Sequence, residues 1–509
     1  MGENTATTTV TGSIIKADQT SIEEITEECI GQINPTQIFQ SILASIPAFF
    51  DSQQTYISIF SNAQPSWHCT NNTNSSCISN KSNLCSLTST DWAWDSGNLV
   101  HTSIISEWNL ECANSFITGM PSTSYFVGCL IGGLVLSTFG DSFLGRKKLL
   151  CLSSLVMSLA ALASGFSPNI WVYSVFRFLS GVGRASLAIT ALVLITERVG
   201  KRWRPTMAMV GFTHFSLGIL ALTGIAYLTR RSSWRVLYLC TSVPGIVCSI
   251  MCYFLLLESP RWLFMQGRDE ESMDILRKLG TLKKDSKINI PQKNSNNTSP
   301  FASLKILIKK RWALKRLLTS VILSFGIGLM YFGMFLGVGN LGFNIYLSST
   351  FSALLSLASY LITFLFWIPR CNRRLSLLGF CIIGGSTSIV FSVLGKHHKG
   401  LTMGMELVSL FCACMAYNLV LMYTVELFPT CVRNSASSLV RQAMILGSVF
   451  DPVLILLGRK NMMYCYGVFG VTMLFSGFMV VFLPETRGKV LCDTMEEQEF
   501  RDQRTESKI

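Results

Sequence analysis

Charged side chains set inside long apolar runs are the residues of this chain best placed to do chemistry. Asp51 sits beside Phe49 and Phe50. Arg177 and Arg184 lie seven residues apart, nearly on one helical face. Arg441 and Asp451 share a further apolar run, and Glu406 stands near the end of another. An ionisable group at the centre of a bilayer costs about 2.5–3.5 kcal/mol on insertion scales, so it faces a cavity or a partner. The chemistry on offer is recognition rather than bond making. Asp51 and Asp451 can attract a cation, and Arg177 and Arg184 can hold a carboxylate. Arg441 is a further candidate contact. Equally, these charges can pair with each other and only hold helices together. Tyr331 is the leading aromatic candidate, because aromatic cages bind quaternary ammonium groups through cation–π attraction. Tyr360, Trp367, Phe411 and Tyr417 are weaker candidates of the same kind, and His214 can titrate near neutral pH or simply pack.

The elements that must carry these residues follow from composition. The chain has 509 residues, 49% of them hydrophobic and only 14% charged, against about 25% charged in soluble domains. Mean hydropathy is +0.42. Disorder, a coiled coil and a disulfide-stapled mini-domain are excluded, and a polytopic all-α membrane protein is expected. A helix crosses a bilayer with roughly 20 mainly apolar residues. Twelve runs qualify: 36–59, 116–139, 149–166, 170–194, 206–228, 234–257, 314–337, 344–368, 375–395, 402–425, 435–457 and 462–483. They fall into two groups of six, the layout of a transporter built from two similar bundles. The expected parts are a cytosolic N-terminal segment at 1–35, a six-helix bundle at 36–257, a cytosolic linker at 258–313, a second bundle at 314–483 and a cytosolic tail at 484–509. The net charge of +13 does not imply nucleic acid, because the basic residues lie between apolar stretches rather than in one patch.

Charge sets the expected orientation. Of the 42 Lys and Arg, 30 fall on the side that would hold both termini and 8 on the other, which puts both termini in the cytosol. The loop at 60–115 is then non-cytosolic. It holds Cys69, Cys77, Cys85 and Cys112, which suggest two disulfides in any of three connectivities. It also holds N-glycosylation sequons at Asn71, Asn74 and Asn80.

Short signatures recur where the spans end. Gly140-Asp-Ser-Phe-Leu-Gly-Arg-Lys-Lys148 follows the second span, and Glu197-x-x-Gly200-x-x-x-Arg204 the fourth. Glu258-Ser-Pro-Arg-Trp-Leu263 follows the sixth, Glu426-Leu-Phe-Pro-Thr430 with Arg433 the tenth, and Pro484-Glu-Thr-Arg-Gly488 the twelfth. The long loop carries Trp67-His-Cys69 and Glu107-Trp-x-Leu-x-Cys112. Together these resemble the organic cation/carnitine transporter family of the major facilitator superfamily, most closely its plant branch, over about residues 20–500. The resemblance implies the major facilitator fold of twelve transmembrane helices. It implies a central site reached alternately from each side, and small organic cations, zwitterions such as carnitine, or polyamines as cargo. Coupling to protons and simple facilitation both occur in such families, and protons or Na+ are the candidate coupling ions. Tyr331 matches the family pattern with Phe325 and Gly333, although Ser324 stands where the pattern begins with an aromatic residue. Animal cation carriers have an aspartate seven residues before the proline matched by Pro452. Here that position is Ile445, with Arg441 one turn earlier, which favours a zwitterion.

The paired acids and bases at the cytosolic helix ends read as gates. Asp141 with Arg146 and Lys147, Glu197 with Arg204, and Glu258 with Arg261 would pair in one state and part in the other. Glu426, Arg433, Glu485 and Arg487 extend the set to the second half. The segment Pro369-Arg-Cys-Asn-Arg-Arg374 carries no acid of its own, so its partner must come from elsewhere. No cofactor, metal site or catalytic residue is indicated: zinc spacing and a triad are both lacking. Gly140-x4-Gly145-Arg146-Lys147 does not end as a phosphate loop ends. A lone monomer in the plasma membrane or vacuolar membrane is expected. The alternatives are a sugar or organic-anion porter of the same superfamily, or a membrane receptor that moves nothing.

Overall fold

Helix starts are written in capping residues. Asn169 Oδ1 accepts from the backbone N–H groups of Trp171 and Val172 at 3.1 and 3.0 Å. Asn344 Oδ1 does the same for Tyr346 and Leu347 at 3.0 and 3.4 Å. Ser233 caps a third helix, and proline opens two more at Pro35 and Pro205, where its missing N–H costs nothing. In the computed structural model the described residues are 30–70, 84–86, 91–94, 102–139, 144–280, 300–341, 344–367, 370–394, 399–460, 463–487, 492 and 494–506. Asp141, Cys77 and the sequons at Asn71, Asn74 and Asn80 lie outside the described residues.

The first group of long helices is α1 (Pro35–Tyr56), α2 (Ser115–Phe139), α3 (Arg146–Ser164), α4 (Ile170–Thr196), α5 (Arg204–Leu228) and α6 (Trp234–Leu255). A turn at residues 185 and 186 interrupts α4. The second group is α7 (Arg311–Leu336), α8 (Ile345–Ile362), α9 (Arg373–Leu394), α10 (Lys399–Leu427), α11 (Thr430–Lys460) and α12 (Val468–Phe478). Wider π turns extend α8 through Thr363–Trp367 and lead into α12 through Met463–Gly467. Each apolar run read from the sequence therefore coincides with a helix. Among the described residues, ten helices are long and apolar enough to cross a membrane.

The two bundles are put together alike. In the first, α1 packs on α5 and α2 on α4; in the second, α7 packs on α11 and α8 on α10. Glycine makes these approaches possible. A Cβ at Gly218 of α5 would strike the Phe49 carbonyl oxygen of α1, and one at Gly447 of α11 would strike the Phe325 carbonyl oxygen of α7. Gly128 and Gly181 face the Phe178 and Tyr125 carbonyl oxygens across the α2–α4 seam in the same way. The halves meet along α2 with α11 and along α5 with α8. The second seam is polar: Ser216 lies 3.2 Å from Ser356 and Thr223 2.9 Å from Ser349.

The long loop is tied down at its foot. Strand Trp67–Cys69 pairs antiparallel with Trp92–Trp94. A disulfide joins Cys85 and Cys112, and Cys69 is also disulfide-bonded. Glu107 accepts from Arg235 Nη2 at 2.5 Å and Trp234 Nε1 at 2.7 Å. Arg235 also donates to the carbonyls of Gly165 and Ser167. The Glu107-Trp108 pair thus anchors the loop over α3, α4 and α6.

The glycine seams give a sign test. Gly128→Ala is expected to lower the melting temperature of the purified protein, because overpacking costs roughly 1–3 kcal/mol. Gly211→Ala, where nothing lies within 4 Å of the added atom, is expected to hold or raise it by removing unfolded-state freedom, worth about 0.4–1 kcal/mol. Equal melting temperatures for the two variants would contradict the packing.

Candidate substrate-binding and gating site

The intramembrane charges converge on the middle of the molecule from different helices. Asp51 of α1 is 1% exposed and accepts from Arg184 Nε of α4 at 2.5 Å. Arg184 also reaches Cys129 Sγ of α2 at 3.7 Å. Arg177, one heptad earlier on α4, is equally buried. It donates to the Gln54 carbonyl at 3.1 Å and lies 4.3 Å from the centre of the Tyr125 ring. Among the described residues its Nε and Nη1 have no hydrogen-bond partner. Charge in such a place is stable only if neighbours replace water. Asp51 does so for Arg184, and the Tyr125 ring and one carbonyl do so in part for Arg177.

Aromatic residues of the second half close the same space. Tyr331 of α7 stacks on Tyr417 of α10 with ring centres 4.2 Å apart, and its hydroxyl lies 3.4 Å from that of Tyr360 of α8. Phe332 of α7 faces Arg184 at 5.8 Å and packs on Phe126 of α2. Tyr56 of α1 packs on Phe335 at 5.0 Å. Arg441 of α11 lies within electrostatic reach of Tyr417, Arg184 and Asp51. This buried centre, the candidate binding chamber, holds among the described residues three guanidinium groups against one carboxylate, next to stacked tyrosines. Arginine suits a carboxylate and the aromatic faces suit an ammonium group.

Between the halves, at the end carrying the long loop, lies a cleft of about 740 Å³. Ser58, Asn62, Gln64, Thr118, Asn344 and Tyr346 are among its lining residues. At its edge Phe60 stacks on Tyr346 at 5.6 Å, and Tyr346 meets Tyr227 edge-on.

The opposite end is held by acids that cap helices. Glu258, just past α6, accepts from the Lys147 N–H at the start of α3 at 2.9 Å. Ser259 donates to Glu197 at the end of α4 at 2.5 Å. Gly145 makes this possible: its φ is +76°, and a Cβ there would sit 2.6 Å from Glu258 Oε2. The second half repeats the device. Glu485, past α12, accepts from the N–H groups of Arg373 and Arg374 at the start of α9 at 3.0 and 3.1 Å. Thr486 donates to Glu426 at the end of α10 at 2.7 Å, and Glu426 pairs with Arg373 at 3.3 Å. A carboxylate at a helix N-terminus satisfies orphan N–H groups and meets the positive end of the helix dipole. Beside the first cap, Arg198 is fully buried and donates to Gln40 Oε1 at 3.2 Å. Burial lowers the pKa of this guanidinium, while Glu258 and Glu197 oppose the shift.

Known proteins place this architecture. The family described as "Sugar (and other) transporter" matches residues 48–497. Organic cation/carnitine transporter 2 of Arabidopsis thaliana is 47% identical over 504 residues, covering 95% of each chain. The chain belongs to the plant organic cation/carnitine transporter family. Organic cation/carnitine transporter 3 of the same plant is 46% identical, with 94% of each chain covered. Among solved structures, the proton:xylose symporter XylE bound to 6-bromo-6-deoxy-D-glucose superposes with a TM-score of 0.63 at 17% identity. That match covers 90% of this chain and 98% of the other. The fold is therefore that of the major facilitator superfamily. The protein is a multi-pass membrane transporter, not an enzyme.

Seen in the transporter, the residues singled out from sequence separate into groups. Asp51, Arg177, Arg184, Tyr331 and Arg441 come together in the central chamber. Asp451 does not join them. It lies ten residues beyond Arg441, about 15 Å along a helix, inside the second bundle. Lys147, Glu197, Glu258, Glu426 and Glu485 meet at the capped end. His214 packs, with Nδ1 2.8 Å from the Val210 carbonyl and 3.2 Å from Ser45 Oγ. Sequence reading missed Ser259, Thr486, Gln40 and Arg198 at the caps, and Tyr125, Cys129 and Phe332 in the chamber. The two hydroxyls had a signal. Glu-Ser and Glu-Thr each follow the last span of a half, which an alignment of the halves would have matched.

The caps generate a local prediction. Glu485→Ala removes a charged cap, worth about 1–2 kcal/mol. Amide exchange at Arg373 and Arg374 is expected to quicken by roughly tenfold, while that at Lys147 stays unchanged; Glu258→Ala should do the reverse. Unaltered exchange in both variants would mean that the acids do not cap these helices.

Proposed function

We propose that this transporter carries small zwitterions or organic cations, of the carnitine, choline or polyamine type, by alternating access. Carnitine-like zwitterions are the preferred class. The observation that carries this reading is the pairing of excess arginine with stacked tyrosines around one chamber. Arg184 is already committed to Asp51 at 2.5 Å. Arg441 lies within electrostatic reach of Tyr417, which stacks on Tyr331. A substrate carboxylate at Arg441 and its quaternary ammonium over Tyr331 and Tyr417 would satisfy both. A lone cation would leave Arg441 without a partner, because the carboxylate nearby, Asp51, is already paired with Arg184. The names of the plant relatives point to the same cargo.

The caps supply the gate. With Glu258 and Glu485 holding the starts of α3 and α9, the capped end is closed and the cleft lies at the other. Opening the capped end requires Ser259 to leave Glu197 and Thr486 to leave Glu426. The capped end is the cytosolic one by the distribution of basic residues, and the membrane is the plasma membrane or the vacuolar membrane.

Uptake of radiolabelled carnitine, choline, tetraethylammonium and a polyamine into proteoliposomes, with and without a pH gradient, tests the reading. Saturable carnitine flux is expected. No flux of any of the four in a folded preparation would sink it and return the sugar-porter and receptor alternatives. Arg441→Gln is expected to raise the KM for carnitine by about tenfold to a hundredfold, since a hydrogen bond to a charged group is worth about 1.5–3 kcal/mol. The KM for choline, which has no carboxylate, should change little. An equal effect on both would remove Arg441 from carboxylate recognition.

A further inference from the structure

The second bundle contains two acids that nothing in the transport cycle described so far uses. Asp451 of α11 is 0% exposed, and among the described residues neither of its carboxylate oxygens has a hydrogen-bond partner. Glu406 of α10 is 2% exposed, with Oε1 likewise unpartnered. Each lies within electrostatic reach of a residue of the π turn Met463–Gly467, which packs on α11 and leads into α12. Cys465 lies within electrostatic reach of Asp451, and Tyr466 within that of Glu406. Tyr466 spends its own proton on the Gly337 carbonyl at the end of α7, at 3.1 Å. On α10, Cys414 lies within electrostatic reach of Glu406. Among the described residues no Lys, Arg or His pairs with either acid. Isolated π turns of this kind recur at functional sites.

A carboxylate buried with neither counter-ion nor donor cannot stay charged; it takes a cation or a proton. Hard metal cations are held by about six oxygen ligands, and Asp451 has no oxygen partner prearranged beside it. A proton needs only the acid's own oxygen. Position adds the second element. The next residue, Pro452, lines the cleft. Its ring removes a backbone hydrogen bond from α11. It is also where the first bundle touches α11: a Cβ at Gly119 of α2 would lie 3.5 Å from the Pro452 carbonyl and 3.1 Å from Leu456 Cδ1. Any rocking of the halves about the α2–α11 seam therefore moves the backbone beside Asp451.

We propose that Asp451, assisted by Glu406, is a proton site of the transport cycle, distinct from the Asp51–Arg184 pair and loaded from the cleft. Asp451 holds the proton as the neutral acid while buried, as here. It exchanges that proton with water when movement at Pro452 opens the site, so that substrate and proton cross together. The inference rests on the transport reading above, and two assays on one preparation separate the two. Counterflow of labelled against unlabelled carnitine reports alternating access without a gradient. Accumulation driven by a one-unit pH gradient reports coupling, up to about tenfold for one proton per substrate. The expected result for Asp451→Asn, which mimics the neutral acid, is intact counterflow with accumulation reduced to about onefold. Glu406→Gln should reduce accumulation in part. Counterflow with gradient-driven accumulation undiminished in Asp451→Asn would overturn the proton site and leave the transport reading standing. So would a wild-type protein that exchanges carnitine but ignores the gradient. Absence of counterflow in the wild type would fail the transport reading itself. An infrared spectrum of the wild type, substrate-free, provides a check that needs no flux. A protonated-carboxyl C=O band should be present and should lose intensity in Asp451→Asn; the absence of any such loss would overturn the inference.

Discussion

The Asp51–Arg184 ion pair is the contact about which the centre of the molecule is arranged. Two opposite charges, each almost fully buried, meet at 2.5 Å between the first and fourth helices. Removing one partner of such a pair typically costs about 3–5 kcal/mol, because the other is left charged and unpaired. The neighbours of the pair follow from that need. Tyr125 offers its ring face to Arg177 and, more distantly, to Arg184, and its hydroxyl reaches Thr55, one turn after Asp51. Phe332 brings the second bundle against Arg184. The pair thus ties the first bundle together on the wall that the second bundle must face.

The same economy of charge explains the capped end. A helix that starts at the membrane surface exposes N–H groups that lipid cannot satisfy. Both bundles solve this with a glutamate contributed by the segment after their own last helix. That choice links the first-half helices α3, α4 and α6, and the second-half helices α9, α10 and α12, through one carboxylate and one hydroxyl each. A cap made by a neighbouring helix is also a removable one. In the proposed gate, moving that helix would strip the cap and leave the amides exposed, so the cost of opening would be set by hydrogen bonds that can re-form rather than by a core that would have to repack.

What the sequence disclosed follows the same division. Helix positions were readable, because twelve apolar runs and their capping residues are local features. Asp51, Arg177 and Arg184 stood out for a local reason as well, a charge inside an apolar run. Their partnership was not readable. Asp51 and Arg184 are 133 residues apart, and Arg373 finds Glu485 across 112. The segment at 369–374 has no acid of its own, which is why its cap could not be found by looking nearby. Arg198 shows the converse. It is one of the 30 basic residues that set the expected orientation, yet it is fully buried against Gln40, and no neighbour in sequence announces that.

Asp51 and Asp451 make the final contrast. Both are aspartates deep within apolar helices, and composition treats them alike. Asp51 has an arginine; Asp451 has neither counter-ion nor hydrogen-bond donor among the described residues. An acid with a fixed counter-ion keeps its charge through moderate changes around it, and so serves well as a structural tie. An acid without one responds to any change in its access to water, since only solvation or a bound proton can settle its charge. The two bundles are alike in packing and in their caps, so this difference is not imposed by the fold. Under the proposal above it divides the labour: the first bundle contributes a fixed charge, and the second an acid whose state would follow the motion of α11.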